Sequence, residues 1–149
     1  NIPLIAVNHT YKEIGLFPKD IVGGGTGIYY SADNIWIVGR QQDKSGTEIK
    51  GYHFIINIDK SRYVKEKSKI PISVSWEGGI QSYSGLLDVA VNGGYIIKPS
   101  NGWYMVVDKS TGESIGNKVR EKDTLNSEFW SPIFETTDFK DYIKQTYSI

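Results

Sequence analysis

The stretch IPLIAV, residues 2–7, decides how the fold of this chain is interpreted. It is apolar at every position and is followed by the polar pair Asn8-His9. A short run without alternation is typical of a strand covered on both faces, as in a parallel sheet between helices. We therefore predict an α/β fold in which residues 2–7 form one buried parallel strand, and in which this chain is the rear half of a larger domain.

The composition indicates a globular protein without a strong electrostatic field. The 149 residues are 39% hydrophobic and 13% aromatic, and 17 basic side chains balance 17 acidic ones. Any contact with nucleic acid must therefore depend on local patches. The chain has no cysteine, and His9 and His53 lack the spacing of metal ligands, so we predict no metal site. Without a signal peptide or a membrane-length apolar stretch, we expect a cytoplasmic protein that makes no membrane contact.

The segment after Asn8-His9 predicts a long loop over residues 10–23, because Gly15 and Pro18 interrupt any helical period. It ends in GGGTG, residues 23–27. We predict that these glycines form a hinge with positive φ angles, since no lysine follows at the offset that a phosphate-binding loop requires. A short helix is expected over residues 28–32.

The rest of the chain alternates between strand and helix patterns. Strand-like runs at 35–38, 52–58 and 70–76 predict an antiparallel meander, with a turn signal at 43–46. Further predictions are a helix over 86–91, a C-terminal hairpin around Asn101-Gly102, a polar exposed extension over 110–123, and a terminal helix capped by Asp138.

Two small clusters have side chains suited to phosphate chemistry. Asn8-His9 would stand at the carboxyl end of the buried strand, where ligands of α/β sheets gather. Lys60 and Arg62 lie two residues apart in an extended segment, so both can point to one polyanion and stabilise charge on a transferring phosphoryl group. The alternatives remain open: the first pair can simply satisfy backbone groups, and the second can be a solvated basic turn.

Several motifs occur in an order and spacing that resemble a known family. They are AVNHTY (6–11), GGGTG (23–27), YSAD (30–33), KSR with VKEKSK (60–62 and 64–69), YSGLLD (83–88), and KP with NGWY (98–99 and 101–104). Together they resemble the C-terminal part of the RecA-family strand-exchange ATPases, those of T-even-type bacteriophages in particular. The resemblance implies a partial RecA-like P-loop ATPase core over residues 1–107, including a DNA-binding loop at 10–23. Residues 108–149 would then be a polar extension with the C-terminal helix.

The resemblance also implies roles for individual residues. Asn8 and His9 match the family's phosphate-sensing switch, although many bacterial relatives carry Gln in place of His9. Lys60 and Arg62 match a catalytic pair that reaches across the subunit interface to the ATP of the neighbouring subunit. The remaining matches are the DNA-contacting residues Lys12, Phe17, Lys19, Gly24 and Gly25, and the interface aromatic Tyr30.

The function implied by the resemblance is ATP-dependent strand exchange by a filament on single-stranded DNA, for recombination and repair in a phage-infected bacterial host. No Walker A or Walker B pattern is present, so ATP and Mg²⁺ would be bound mainly by residues outside this chain. We expect that this chain alone does not hydrolyse ATP. We also expect that the segment with the Walker A and Walker B motifs precedes residue 1. It would be a partner segment, the rest of an incompletely recorded protein, or the product of a split gene. A RecA-like hexameric helicase and a non-catalytic nucleic-acid-binding or assembly module remain as alternatives.

Overall fold

The computed structural model describes residues 2–45 and 48–149, and among these the side chains outside residues 43–50. This part of the chain has a mixed α/β fold with three separate β-sheets and four α-helices. The sheets have two, four and three strands, and every strand pairing is antiparallel. The predicted fold class is therefore confirmed at the level of mixed α/β structure, while the P-loop core remains a prediction.

Residues 2–7 do not form the buried strand that their pattern predicts. They have no helical or strand structure, and Ile2, Leu4, Ile5 and Val7 are at least 90% exposed. An apolar strand needs neighbouring strands for its backbone groups and covering helices for its side chains. No element in the described part of the chain supplies either of these. The prediction is therefore wrong for this chain taken by itself.

The segment predicted to be an irregular loop contains a short β-hairpin. Strand β1 (Thr10–Lys12) pairs with β2 (Asp20–Val22), and the amide of Glu13 donates to the carbonyl of Lys19 at 2.9 Å. Gly15 and Pro18 lie in the tip between the strands, where neither needs to take part in the ladder. The hairpin is followed by α1 (Thr26–Ser31), close to the helix predicted over residues 28–32.

The predicted meander is confirmed as a four-stranded sheet in the order β3-β4-β5-β6. Strands β3 and β4 have 12 and 14 residues and extend well beyond the predicted runs. The predicted turn at 43–46 lies partly within β3, and its last residue falls outside the described residues. The strands are β3 (Asn34–Ser45), β4 (Glu48–Ser61), β5 (Lys69–Ser75) and β6 (Gly79–Ile80).

One face of this sheet is apolar and partly exposed. Val38, Ile56 and Ile70 are in register across β3, β4 and β5, so their side chains point to the same face. Trp36 and Trp76 are 61% and 63% exposed. We call this surface the apolar sheet face; its members are Trp36, Val38, Tyr52, Phe54, Ile56, Ile70, Ile72, Val74 and Trp76.

The C-terminal part confirms the predicted helix over 86–91, the hairpin and the terminal helix. It differs from the prediction at two points, since the polar segment contributes a third strand to the hairpin and a helix without a clear sequence signal follows it. The elements are α2 (Leu86–Asn92), β7 (Ile96–Ser100), β8 (Trp103–Val106), β9 (Val119–Arg120), a 3₁₀-helix (Glu121–Thr124), α3 (Ser127–Thr136) and α4 (Phe139–Tyr147).

The hydrophobic core is centred on Trp130 of α3. Its ring stacks on Phe139 with centroids 6.0 Å apart, and its indole Nε1 donates to the carbonyl of Thr124 at 2.6 Å. Tyr95 and Tyr104 join this core from the β7–β8 region. The core thus combines residues from both sides of position 107, and the predicted division of the chain at that point stays a prediction.

Asp138 takes the N-cap position of α4, as predicted, but its side chain makes no capping bond to the helix. Its Oδ1 instead accepts a hydrogen bond from the hydroxyl of Tyr95 at 2.7 Å. Burial is the main reason why the pKa of Tyr95 is raised, with the bond to Asp138 acting in the same direction. The neutral phenol therefore ties α4 to the start of β7.

Candidate phosphate and nucleic-acid interface

The glycine segment between β2 and α1 has the predicted positive φ angles at two of its four glycines, while its role as a hinge stays a prediction. Gly24 and Gly25 have φ angles of +93° and +80°. A side chain at these angles is strained, and a Cβ on Gly24 would lie 2.3 Å from Cδ1 of Ile28. Glycine therefore allows the chain to turn directly from the hairpin into the first turn of α1.

Asn8 and His9 close the base of the hairpin. The side-chain Nδ2 of Asn8 donates to the carbonyl of Gly23 at 2.6 Å, and the amide of Gly23 donates to the carbonyl of His9 at 3.0 Å. These bonds satisfy backbone groups, which was one of the two interpretations left open by the sequence. A role as a phosphate switch stays a prediction, and the exposed imidazole of His9 lies beside Gly23.

The hairpin tip projects apolar side chains into solvent. Phe17 is 86% exposed, and Ile14 and Leu16 are still more exposed. Lys12 forms an ion pair with Asp20 at 2.8 Å near the base, whereas the ammonium group of Lys19 has no partner within the described part of the chain. An exposed aromatic ring beside a cation can stack on a nucleic-acid base and neutralise a phosphate.

Lys60 caps the C-terminal end of α1. Its Nζ donates to the carbonyls of Tyr29 and Tyr30 at 2.8 and 3.1 Å, and it lies 5.5 Å from the centre of the Tyr29 ring. The last carbonyls of a helix lack partners within the helix and carry partial negative charge. The cation therefore stabilises this helix end.

Arg62 reaches the residues that follow α1. Its Nε lies 2.9 Å from Oδ1 of Asp33, and both side chains are exposed, at 64% and 60%. Lys60 and Arg62 thus contact the same segment, residues 29–33. The sequence motif pointed to the two cations, but it did not identify Asp33 as a partner, because that pairing depends on the register between β3 and β4.

Tyr30 is the exposed aromatic residue at this end of α1. It is 73% exposed and makes an edge-to-face contact with Tyr29, whose ring centre is 6.0 Å away. Burial and the nearby carboxylate of Asp59 raise the pKa of Tyr29, so this phenol stays neutral. The end of α1 therefore presents one exposed ring next to two cations.

The segment after Arg62 is held by the end of α4, which the sequence did not predict. The amide of Lys65 donates to the carbonyl of Tyr147 at 2.7 Å, and its Nζ donates to the carbonyl of Gln145 at 2.6 Å. The amide of Ile149 donates to the carbonyl of Tyr63 at 3.2 Å. These bonds connect the basic segment to an element anchored in the hydrophobic core.

The described residues contain no group of three or more histidine, aspartate or glutamate side chains that could hold a metal ion. Every helix in that part of the chain is too short or too polar to span a membrane. The residues described above provide cations, exposed aromatic rings and backbone groups, a set that suits phosphates and bases.

Comparison with known proteins shows which proteins this chain is similar to. The family model for the C-terminal domain of the bacteriophage T4 recombination and repair protein matches residues 83–143. The recombination and repair protein of Enterobacteria phage T4 is 49% identical over 153 aligned residues, which cover 100% of this chain and 39% of that protein. Protein RecA of Tropheryma whipplei (strain Twist) is 28% identical over 142 residues, covering 91% of this chain and 32% of that protein. Protein RecA of Aquifex aeolicus (strain VF5) is also 28% identical, over 116 residues.

These matches confirm the resemblance that the sequence motifs indicated. The chain spans about two fifths of the length of its phage T4 relative and about a third of the length of these RecA proteins. The match to the phage protein extends over all of the residues at the interface described above.

Proposed function

We propose that this chain, which is similar to the phage T4 recombination and repair protein over its whole length and to RecA proteins at lower identity, is part of an ATP-dependent recombinase of the RecA family that forms filaments on single-stranded DNA and exchanges homologous strands. The observation that supports this most is the 49% identity to the phage T4 recombination and repair protein over the whole chain. Such a protein would act in the cytoplasm of a phage-infected bacterium. ATP and Mg²⁺ would be bound mainly by residues outside these 149.

Lys60 and Arg62 would act on ATP bound by a neighbouring subunit of the filament. Bound ATP with Mg²⁺ supplies the phosphoryl group, and the two cations stabilise the negative charge that develops during its transfer. The half-buried Lys60 and the exposed Arg62 lie beside the exposed ring of Tyr30, a position that suits an interface between subunits. Asn8 and His9 would sense the terminal phosphate and pass that contact to the hairpin, to which they are bonded through Gly23.

The hairpin would be the site that contacts single-stranded DNA. Phe17 would stack on bases while Lys19 neutralises phosphates, with Lys12 nearer the base of the hairpin. Gly24 and Gly25 would allow the hairpin to move relative to α1 and would expose backbone amides to a phosphate. This arrangement places the proposed DNA contact and the proposed phosphate switch on one continuous segment, residues 8–25.

The apolar sheet face and residues 2–7 would be covered by the remainder of the recombinase. Large contiguous apolar surfaces are uncommon on monomeric proteins and usually mark a contact surface. The phage T4 relative is long enough to provide such a covering segment, because this chain matches only 39% of it. This proposal also accounts for an opening segment that is apolar and yet exposed.

Replacing Phe17 and Lys19 together by Ala in the full-length protein is expected to weaken single-stranded DNA binding by about 10- to 100-fold, because one stacking contact and one phosphate contact are lost. Fluorescence anisotropy with a labelled oligonucleotide measures this. The affinity for ATP should stay unchanged. A control that replaces the exposed Tyr63 and Lys69 by Ala removes the same kinds of side chain outside the hairpin. Equal losses of DNA and ATP affinity would contradict a dedicated DNA site.

Two assays separate the proposed function from its alternatives. The full-length protein should pair homologous strands with ATP and single-stranded DNA, whereas unwinding of a forked duplex without strand pairing would favour the hexameric helicase. An independent binding module would instead be monodisperse as the 149-residue chain and would bind an oligonucleotide by itself. The open apolar sheet face predicts aggregation or segment swapping for that isolated chain.

A further inference from the structure

Lys60 and Arg62 differ in how many of their side-chain N–H groups already have a hydrogen-bond partner. The ammonium group of Lys60 donates to two helix carbonyls, which occupy two of its three N–H groups. The ion pair of Arg62 joins its Nε to Oδ1 of Asp33 at 2.9 Å. Its Nη1 and Nη2 groups, which form the outer fork of the guanidinium, have no partner residue besides Asp33 within the described part of the chain, so they can donate to an anion. The two cations are therefore not equivalent.

The position of Asp33 opposite Arg62 follows from the strand register. Asn34 of β3 pairs with Ser61 of β4, and the Ser61 hydroxyl donates to Oδ1 of Asn34 at 2.7 Å. The next pair outward along an antiparallel ladder would be 33 with 62. Asp33 and Arg62 thus extend the ladder by one cross-strand ion pair just beyond its last bonded pair.

Both ends of this ion pair have a fixed backbone. The amide of Ala32 donates to the carbonyl of Ile28 at 3.1 Å, which holds the chain at the end of α1 just before Asp33. After Arg62, the amides of Tyr63 and Val64 both donate to the Ser61 hydroxyl at 3.1 Å. The carboxylate can therefore restrict the rotation of an otherwise long and exposed side chain.

We propose that Asp33 is a positioning residue for Arg62: by accepting from Nε, it turns the Nη1 and Nη2 fork toward a phosphate presented by a neighbouring subunit. This inference rests on the proposed function, because it assumes that Arg62 acts on ATP. It assigns to Lys60 mainly the task of holding α1, and with it Tyr30, next to that phosphate.

The test measures ATP turnover stimulated by single-stranded DNA in the full-length protein. Asp33→Ala should lower kcat about three- to fivefold with KM for ATP unchanged, since an exposed ion pair contributes little binding energy. Asp33→Asn keeps an oxygen that can accept from Nε and should retain at least half of the wild-type kcat. The thermal unfolding temperature should not change in either variant, so a loss of kcat cannot be ascribed to unfolding.

A second background separates positioning from other effects. Arg62→Lys keeps the positive charge but has no Nε–H for Asp33 to accept. Adding Asp33→Ala to Arg62→Lys should therefore cause no further loss of kcat. An equal loss in both backgrounds, or wild-type or higher turnover by Asp33→Ala alone, would overturn the positioning role. If the positioning role is overturned in this way but Arg62→Lys has a low kcat, the proposed function still stands. Normal turnover by both Arg62→Lys and Arg62→Ala would overturn the positioning role of Asp33 and the proposed role of Arg62 in ATP turnover.

Discussion

Replacing Arg62 by Ala in the full-length protein is expected to lower DNA-stimulated ATP turnover by about a thousandfold. A cation delivered from a neighbouring subunit acts where negative charge develops, in a site from which water is excluded, so its removal raises the activation barrier directly. The free Nη groups of Arg62 suit this task. Steady-state turnover with saturating ATP and single-stranded DNA measures the effect.

The control for this substitution is Lys69→Ala, which removes a positive charge from an exposed position in the same basic stretch. Lys69 has no side-chain contact within the described part of the chain, and turnover should stay near the wild-type value. Lys60→Ala should also reduce turnover strongly, and it should loosen α1 because two helix carbonyls lose their donor. Normal turnover by the Arg62→Ala variant would remove this residue from the proposed catalytic machinery.

Replacing Trp130 by Ala is expected to lower the free energy of unfolding by about 3–5 kcal/mol. The side chain is 1% exposed and contacts Tyr83, Phe129, Phe134 and Phe139 through its rings. Its loss leaves a large cavity, and the buried carbonyl of Thr124 also loses a hydrogen-bond donor. Urea denaturation of the 149-residue chain measures the change, followed by far-UV circular dichroism at dilutions at which sedimentation velocity finds the chain monomeric and at which refolding is reversible.

Trp36→Ala is the matched control, because it removes the same side chain from an exposed position on the apolar sheet face. Its effect on the isolated chain should be below about 1 kcal/mol, as for most exposed substitutions. If both variants lost the same stability, α3 would not be the centre of the core. An unchanged slope of free energy against urea concentration would show that the unfolding transition itself is preserved.

Elements whose signals are local could be predicted from the sequence. The meander follows from β-branched and aromatic runs bounded by polar segments, and the β7–β8 hairpin follows from Asn101-Gly102. Gly102 has a φ of +72°, which is the conformation that the turn signal implies. The positive φ angles of Gly24 and Gly25 were predictable for the same reason, because few other residues adopt them.

Features that depend on distant partners could not be predicted in this way. Residues 2–7 have the composition of a buried strand, but burial requires a neighbour that this pattern does not encode. The helix α3 was missed because Pro132 lies inside it and removes one backbone donor. Packing of Trp130 and Ile133 into the core outweighs that loss. Tertiary contacts therefore override the local signal at this position.

The candidate site was predicted in part. The spacing of Lys60 and Arg62 was enough to predict that both side chains reach one common target, and both contact residues 29–33. Their individual partners could be identified only from the structure. The pairing of Asn34 with Ser61 sets which carboxylate Arg62 meets. A shift of the β3–β4 register by one residue would change that partner, and sequence patterns locate register poorly in strands of this length.

The two exposed indoles on the apolar sheet face can serve as intrinsic fluorescence probes. Trp36 and Trp76 are exposed to water, Trp103 is half-buried and Trp130 is buried, so we expect the emission of the first two to depend most on what covers the sheet. A protein surface that binds the apolar sheet face will shift the fluorescence emission of Trp36 and Trp76 to shorter wavelength. It will also protect both indoles from quenchers such as acrylamide or iodide. Association of another protein segment with this face can therefore be followed without attaching a dye.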